Sequence, residues 1–288
     1  MTLTAAQLWF RGADGALLHF DACDAAPQDL FSTSGRGAFV TVHGLGEHLG
    51  KYDEWAAHAA ARGWHVMLYD QRGHGRTSGR RGDYRFADLV DDLARFVGVT
   101  ADRYPDAPIF LVGHSLGALV ALHYAAGAAG EIHPAVKGAI LSGPPIALLS
   151  RVPKWYRWMV RALLPVAPWF PLRRRTGVHT RDPERAARFA GDPLGHRAIT
   201  PRAMAGTAAA IESLRAAPDS VRLPLLVLMG ESDAVVQGDE TVAFFQAVAS
   251  GDVTIERLPG ALHEVLQEVG RDKLFHRICD WCEARAEG

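Results

Sequence analysis

Cysteine is scarce in this chain of 288 residues, with Cys23, Cys279 and Cys282 the only three. An odd, low count argues against a disulfide framework and fits a reducing compartment. Cys279 and Cys282 form a C-x-x-C without a second ligand pair, so they are expected as core or surface thiols rather than a metal site. Charge of one sign is also lacking: 31 Lys and Arg stand against 32 Asp and Glu, a formal net charge of −1. That balance gives no global attraction to nucleic acid or to an anionic membrane. Residues 1–10 lack a basic stretch followed by an apolar one, so no secretory signal is expected and the reading is cytoplasmic. Residues 107–130 contain no Asp, Glu, Lys or Arg. That length would admit a transmembrane helix. Gly113, His114, Ser115, Gly117 and His123 interrupt it, however, and its first part is rich in strand formers. A buried strand, a sharp turn and a buried helix account for it better, and no integral membrane segment is expected. No internal repeat or low-complexity tract is present.

What the chain does contain is ordinary globular material, 48% hydrophobic and 22% charged, enough for a large core and one sizeable insertion. Residues 7–10 and 16–21 flank a turn-rich spacer and predict an N-terminal hairpin. Strands are then predicted at 38–43, 64–69, 109–112, 136–141, 225–229 and 253–258. Helices are predicted at 52–62, 86–104 and 116–126, with a last one from about Asp272. Strands alternating with helices predict an α/β fold with a mostly parallel central sheet flanked by helices. The rhythm breaks over residues 146–217, which hold seven prolines, from Pro153 to Pro201, and three tryptophans. Trp155, Trp158, Met159, Ala162 and Leu163 fall at helical spacing, and no convincing strand is present. The expectation is an α/β core at 1–145 and 218–288, with a helical cap insertion at 146–217 over the C-terminal edge of the sheet. More core is the alternative. Arg173, Arg174 and Arg175 read as a solvated face of that cap, with a docking patch for anionic lipid as the other option.

The most informative segment is 109–117, an apolar strand running into Gly113-His114-Ser115-Leu116-Gly117 and then into an Ala/Leu-rich helix. This is G-x-S-x-G in its strand–turn–helix context, which exposes the serine at the top of a sheet. Glycines on either side relieve crowding against the neighbouring strand and helix. A serine hydroxyl is a weak nucleophile and needs a base, itself oriented by a third group. In this architecture the order along the chain is serine, acid, histidine. Asp233 lies in the loop after the strand at 225–229, with Glu231 as the rival acid and Asp239 and Asp252 read as solvated or capping. His263 follows the strand at 253–258, whereas His179, His196 and His276 lie elsewhere. The amide of Leu116 and an amide from the loop after the strand at 38–43, that of Leu45, are the candidate oxyanion donors. His43 is expected to pack beneath that loop, and Glu47 and His48 either brace it or meet substrate. Gly44, Gly46 and Gly50 with Asp70 also imitate a dinucleotide fingerprint. The third glycine is one place late and Glu47 would sit near the pyrophosphate.

Three blocks carry a resemblance: residues 42–48 (Val-His-Gly-Leu-Gly-Glu-His), residues 70–75 (Asp-Gln-Arg-Gly-His-Gly) and residues 113–117 (Gly-His-Ser-Leu-Gly). With residues 192–194 and 230–233, they resemble the monoacylglycerol lipase and lysophospholipase group of α/β-hydrolases, serine aminopeptidase S33-like hydrolases. The resemblance is close in the motifs and loose in the cap. It implies a Ser115–Asp233–His263 triad, an oxyanion hole at Leu45 and Leu116, an acyl-enzyme and no metal or organic cofactor. Monoacylglycerol or lysophospholipid-like single-chain lipid esters are the implied substrates, with Glu47, His48, Trp155, Trp158 and Met159 as candidate substrate contacts. A small-molecule carboxylesterase or thioesterase of the same fold, and a catalytically silent binding protein, remain the alternatives. No nucleic-acid partner is implied, and a transient membrane-surface contact through the cap stays open.

Overall fold

Strand formers clustered in short apolar runs need cover on both faces, and the sheet provides it. The computed structural model describes residues 8–26, 35–147, 153–174 and 177–286. A hairpin, β1 (Leu8–Arg11) and β2 (Leu17–Cys23), opens the described chain. There follow β3 (Gly37–Val42), α1 (Asp53–Ala61), β4 (Trp64–Tyr69), α2 (Phe86–Arg103), β5 (Ile109–His114), α3 (Leu116–Ala125) and β6 (Val136–Ser142). The strand order is completed by β9 (Leu225–Gly230) and β10 (Val253–Leu258) to give β1-β2-β4-β3-β5-β6-β9-β10. Within this sheet, among the described residues, only the pairs β1–β2 and β2–β4 are antiparallel. β3, β5 and β9 are buried at every position, as parallel strands covered on both faces must be. On one face, Trp55 of α1 and Phe275 and Trp281 of α8 (Arg271–Ala286) pack with Trp64 and Phe110. On the other, Phe96 of α2, Leu119 and Leu122 of α3, and Phe244 of α7 (Gly238–Gln246) close the second core.

The predicted strands and helices of this core are present with ends shifted by a residue or two, and Gln7 lies outside the described residues. The helix expected from residue 52 begins at Asp53, after a 3-10 turn over Leu49–Tyr52. The sequence reading did not anticipate α7. The three cysteines are all buried, and burial pushes the Cys279 thiol up to about 12. No helix among the described residues is long and apolar enough to cross a membrane.

Between β6 and β9 lie α4 (Lys154–Leu163), β7 (Leu172–Arg173), α5 (Pro183–Ala190), β8 (Ala198–Ile199) and α6 (Pro201–Ala216). β7 and β8 pair antiparallel through Leu172–Ile199 and Arg173–Ala198, a short ribbon where no strand was expected. Two residues are too few to show a period of two, so only the fold brings them together. This segment rests on loops that follow strand ends: Arg174 Nη2 donates to Leu45 O at 2.8 Å and Arg185 Nη2 donates to Lys51 O at 3.0 Å. α6 is no detached lid, because Ala203, Ala210, Ile211 and Leu214 belong to the main core. On α4 the predicted apolar face is turned outward: Trp155 is 67% and Trp158 73% exposed, while Val160 is buried. Residues 148–152 and Arg175 lie outside the described residues.

Arg72 ties the hairpin to the sheet's flank. Its Nε donates to Asp92 Oδ2 at 2.5 Å, Nη2 to Asp92 Oδ1 at 2.8 Å and Nη1 to Asp14 Oδ2 at 2.6 Å. Asp92 is fully buried, so Arg72→Ala would strand a carboxylate in the interior and should cost about 3–5 kcal/mol. Arg257→Ala removes an exposed pair with Asp239 and should cost less than about 1 kcal/mol. Urea unfolding of both variants checks this, and equal losses would contradict it.

Candidate active site

The turn between β5 and α3 is shaped by what cannot fit. A Cβ at Gly117 would lie 2.1 Å from Val42 O and 2.7 Å from His43 O, and one at Gly113 would lie 2.5 Å from Gly117 O. Backbone occupies the space on both sides, so neither position accepts a side chain. Ser115 between them sits at φ 50°, ψ −112°, outside the regions an L-residue prefers. Such a conformation costs about 1–3 kcal/mol and persists only where surrounding structure imposes it. Here Ser115 N donates to Ser142 O at 2.9 Å and Leu119 N returns to Ser115 O at 3.1 Å. The hydroxyl thereby stands at the entrance to α3, in a cavity wall it shares with Leu116.

Two further loops meet there. The loop after β9 and the loop after β10 are joined by backbone bonds, Glu231 N to Leu258 O at 3.1 Å and Ser232 N to Ala261 O at 3.0 Å. They bring His263 Nε2 to 3.0 Å from Ser115 Oγ and His263 Nδ1 to 2.7 Å from Asp233 Oδ2. Asp233 Oδ1 also accepts the amides of Val235 at 2.6 Å and Val236 at 3.1 Å. Burial opposes ionisation of Asp233, but the His263 bond and charge and these amides outweigh it and hold the carboxyl below its ordinary value. Glu231, the rival acid, is exposed, and the carboxylate bonded to His263 is that of Asp233. Asp239 and Asp252 pair instead with Arg257 and Arg285. A continuous hydrogen-bonded line from hydroxyl to imidazole to carboxylate can move a proton off the serine. His114 points elsewhere, with Nδ1 at 3.0 Å from Ser142 Oγ.

The loop after β3 supplies the remaining wall. Glu47 Oε2 accepts the Gly44 amide at 2.9 Å and the Tyr52 hydroxyl at 2.8 Å, while Glu47 Oε1 lies 2.6 Å from Lys51 Nζ. The same ammonium lies 2.7 Å from Glu264 Oε1, next to His263. Burial opposes ionisation of Glu47, yet the Lys51 charge holds its carboxyl well below the usual range. Glu264 goes the other way, raised by burial against the pull of Lys51. Glu47 therefore braces the loop. His48 donates from Nε2 to Asp192 Oδ2 at 2.8 Å, accepts the Gly50 amide at Nδ1 and stays outside the cavity wall. Its expected substrate contact is corrected, because both ring nitrogens already have partners. His43 is buried under the loop, bonded to Gly44 O and to the Gln71 amide. Among the described residues the amides of Leu45 and Leu116 have no acceptor, and both residues line the cavity. Asp70 is not presented as a ribose ligand would be; its buried carboxylate accepts the amides of Leu49 and Arg76 and lies 3.3 Å from His19 Nδ1.

The cavity measures about 840 Å³ and its lining includes Ser115, His263, Ile199, Met204 and Val235. Of the expected aromatic and methionine contacts, Trp155 lines it; Trp158 and Met159 do not. Besides Trp155, α4 gives the cavity wall Arg157, Val160 and Arg161, joined by Leu164 just after the helix. His179 was not anticipated: its ring centroid lies 5.9 Å from that of His263, and its carbonyl accepts the Glu264 amide at 2.8 Å. It arrives from the insertion, and no sequence spacing relates it to His263. Lys51 was also missed, although four residues separate it from Glu47. Desolvation pushes His179 down to about 4 and His114 down to about 3, so both rings are neutral beside His263.

Comparison with known proteins gives the family. A monoacylglycerol lipase of Mycolicibacterium smegmatis is 29% identical over 275 residues, covering 94% of this chain and 95% of that protein. Phospholipase YtpA of Bacillus subtilis is 28% identical over 240 residues, covering 82% and 91%. Among solved structures, a soluble variant of monoglyceride lipase from Saccharomyces cerevisiae, in complex with a substrate analog, superposes with a TM-score of 0.87. It is 22% identical, with 99% of this chain and 97% of that one covered, a likeness of fold. The family model Hydrolase_4, described as serine aminopeptidase, S33, matches residues 33–270. The chain therefore belongs to the serine aminopeptidase S33 family and is an α/β-hydrolase of the monoacylglycerol lipase group.

Proposed function

We propose that the chain is a serine carboxylic-ester hydrolase acting on single-chain lipid esters, monoacylglycerol or lysophospholipid-like, with Ser115 as nucleophile, His263 as base and Asp233 as its orienting acid. The observation that carries this is the hydrogen-bonded line Ser115–His263–Asp233 at the wall of an apolar cavity. Ionised Asp233 holds the proton on His263 Nδ1, which leaves Nε2 free to take the Ser115 proton as Oγ attacks the ester carbonyl. The amides of Leu45 and Leu116 bind the oxyanion that forms. His263 then protonates the leaving alcohol, and water attacks the acyl-enzyme by the same route to release the acid. Residues 146–217 serve as the cap over this site, with α6 also anchored in the core.

Ser115→Ala should fold normally and lose hydrolysis of monodecanoylglycerol, keeping at most the roughly 10³–10⁴-fold over water that an oxyanion hole and binding alone provide. Asp233→Asn should lower kcat on the order of 10⁴-fold, and Glu231→Gln far less. Steady-state kinetics decide, and a reversed order for the two acids would mean the wrong carboxylate has been assigned.

His179 and His114 carry no charge above about pH 5, given values near 4 and 3. His179→Gln should therefore leave the acid limb of the kcat/KM–pH profile between about pH 5 and pH 8 where it was, whatever it does to the rate. A limb displaced by a full unit would show that His179 is charged beside His263.

Each acyl methylene moved from water into the cavity gains about 0.8 kcal/mol, about fourfold in affinity. Rates on monoacylglycerols below their micellar concentrations should rise from acetyl to medium chains and then level, with triacylglycerol poor throughout. A steady fall from acetyl upward would favour a small-molecule carboxylesterase or thioesterase.

A further inference from the structure

The cavity above Ser115 carries charge that hydrolysis of a neutral ester does not use. The cavity wall includes Arg157 and Arg161 of α4, four residues apart, and Arg173 of β7, all three exposed at its mouth. None of the three side chains has a carboxylate partner among the described residues. Several arginines elsewhere do hold one: Arg72, Arg185, Arg202, Arg271 and Arg285 each have an acid within 2.8 Å. The acidic groups of the same wall do not offset the three. Glu47 and Glu264 are engaged by Lys51, which leaves only the exposed Glu212 of α6.

Three guanidinium groups around one concave wall repel one another and focus a positive potential into the space between them. An acyl chain needs only apolar wall, which Val160, Leu164, Ile199 and Met204 provide. The charge therefore concerns the other end of the substrate. A guanidinium is planar, permanently charged and matched to two oxygens of a phosphate at once.

We propose that Arg157, Arg161 and Arg173 form a subsite for a phosphate on the alcohol part of the ester, so that anionic lysophospholipids are preferred to the neutral monoacylglycerol of equal chain length. This rests on the ester-hydrolase reading above. The chemistry is unchanged: water adds across the acyl C–O bond, and the fatty acid and the phosphate-bearing alcohol leave.

The test measures kcat/KM for three decanoyl esters below their micellar concentrations: monodecanoylglycerol, decanoyl lysophosphatidylglycerol and decanoyl lysophosphatidylcholine. Each is assayed at low and high ionic strength. Lysophosphatidylglycerol is expected to exceed monodecanoylglycerol by about tenfold at low salt, mainly through KM, and the advantage should shrink as salt screens it. The zwitterionic lysophosphatidylcholine, similar in bulk but without net charge, should fall between them. In the triple variant R157Q/R161Q/R173Q the ratio of lysophosphatidylglycerol to monodecanoylglycerol should fall to within about twofold of one. A charge-matched control outside the cavity, R95Q/R222Q/K273Q, should keep the wild-type ratio. If the neutral ester is hydrolysed as well as the anionic one, or if both triple variants alter the ratio equally, the subsite is wrong and the ester-hydrolase reading stands. If no decanoyl ester is hydrolysed, that reading fails and the subsite falls with it.

Discussion

The approach of α3 to β3 governs this molecule. Gly117 lies so close to the carbonyls of Val42 and His43 that even a methyl group has no room. That contact brings the helix N-terminus against the end of the neighbouring strand and forces the β5–α3 turn into the conformation found at Ser115. A strained turn stays strained only if it cannot relax, and the surrounding β3, β5 and β6 strands deny it the space. The strand order then does the rest. β6, β9 and β10 follow β5 in one parallel sheet, so their terminal loops lie along the same edge as Ser115. Crevices at the carboxyl ends of parallel strands are where such sheets bind ligands.

Beneath the cavity a second constraint couples loops that are far apart in sequence. Lys51 sits between Glu47 and Glu264, buried, with both carboxylate oxygens within 2.7 Å. Glu47 holds the Gly44 amide, and Glu264 is adjacent to His263. One ammonium thus sets the loop that carries Leu45 relative to the loop that carries His263. A buried charge cluster of this kind is costly to assemble and costly to break, so it fixes geometry more than it adds net stability. Its neutral neighbours fit that arrangement: His114 and His179 are kept uncharged by desolvation, which spares His263 a competing positive charge.

The insertion reaches the same loops from above. Gly46, at φ 85°, packs its Cα against His196 O, where a Cβ would stand only 2.2 Å away. His196 N donates to Gly46 O at 2.9 Å, and Arg174 holds Leu45 O. The loop that carries Leu45 is therefore clamped between Lys51 below and the insertion above. α6 is rooted in the main core, which anchors the insertion from a third side. On α4, Trp155 and Trp158 are exposed, and Trp155 shares the cavity wall with Arg157 and Arg161.

The sequence alone determined the alternating α/β order, the strand–turn–helix context of Ser115 and the loop positions of Asp233 and His263. These are local signals: apolar runs of strand length, glycines where a turn is crowded, and a fixed order of loops along one sheet edge. Tertiary structure alone decided what depends on partners distant in the chain. Loop position favoured Asp233 over Glu231 as neighbour of His263, but the contact itself depends on the backbone bonds that join two loops, since both acids occupy the same loop in sequence. The orientation of α4 was only partly legible, because tryptophan and methionine at helical spacing look like an inward face. Which side of a helix turns inward is set by what it packs on: α4 buries Val160 and gives Trp155 to the cavity wall, while Trp158 and Met159 stay off that wall. The β7–β8 ribbon, His179 beside His263 and the bridging role of Lys51 lie beyond sequence reading for the same reason. Each is a contact between segments whose separation in the chain carries no period, and only the folded chain makes them neighbours.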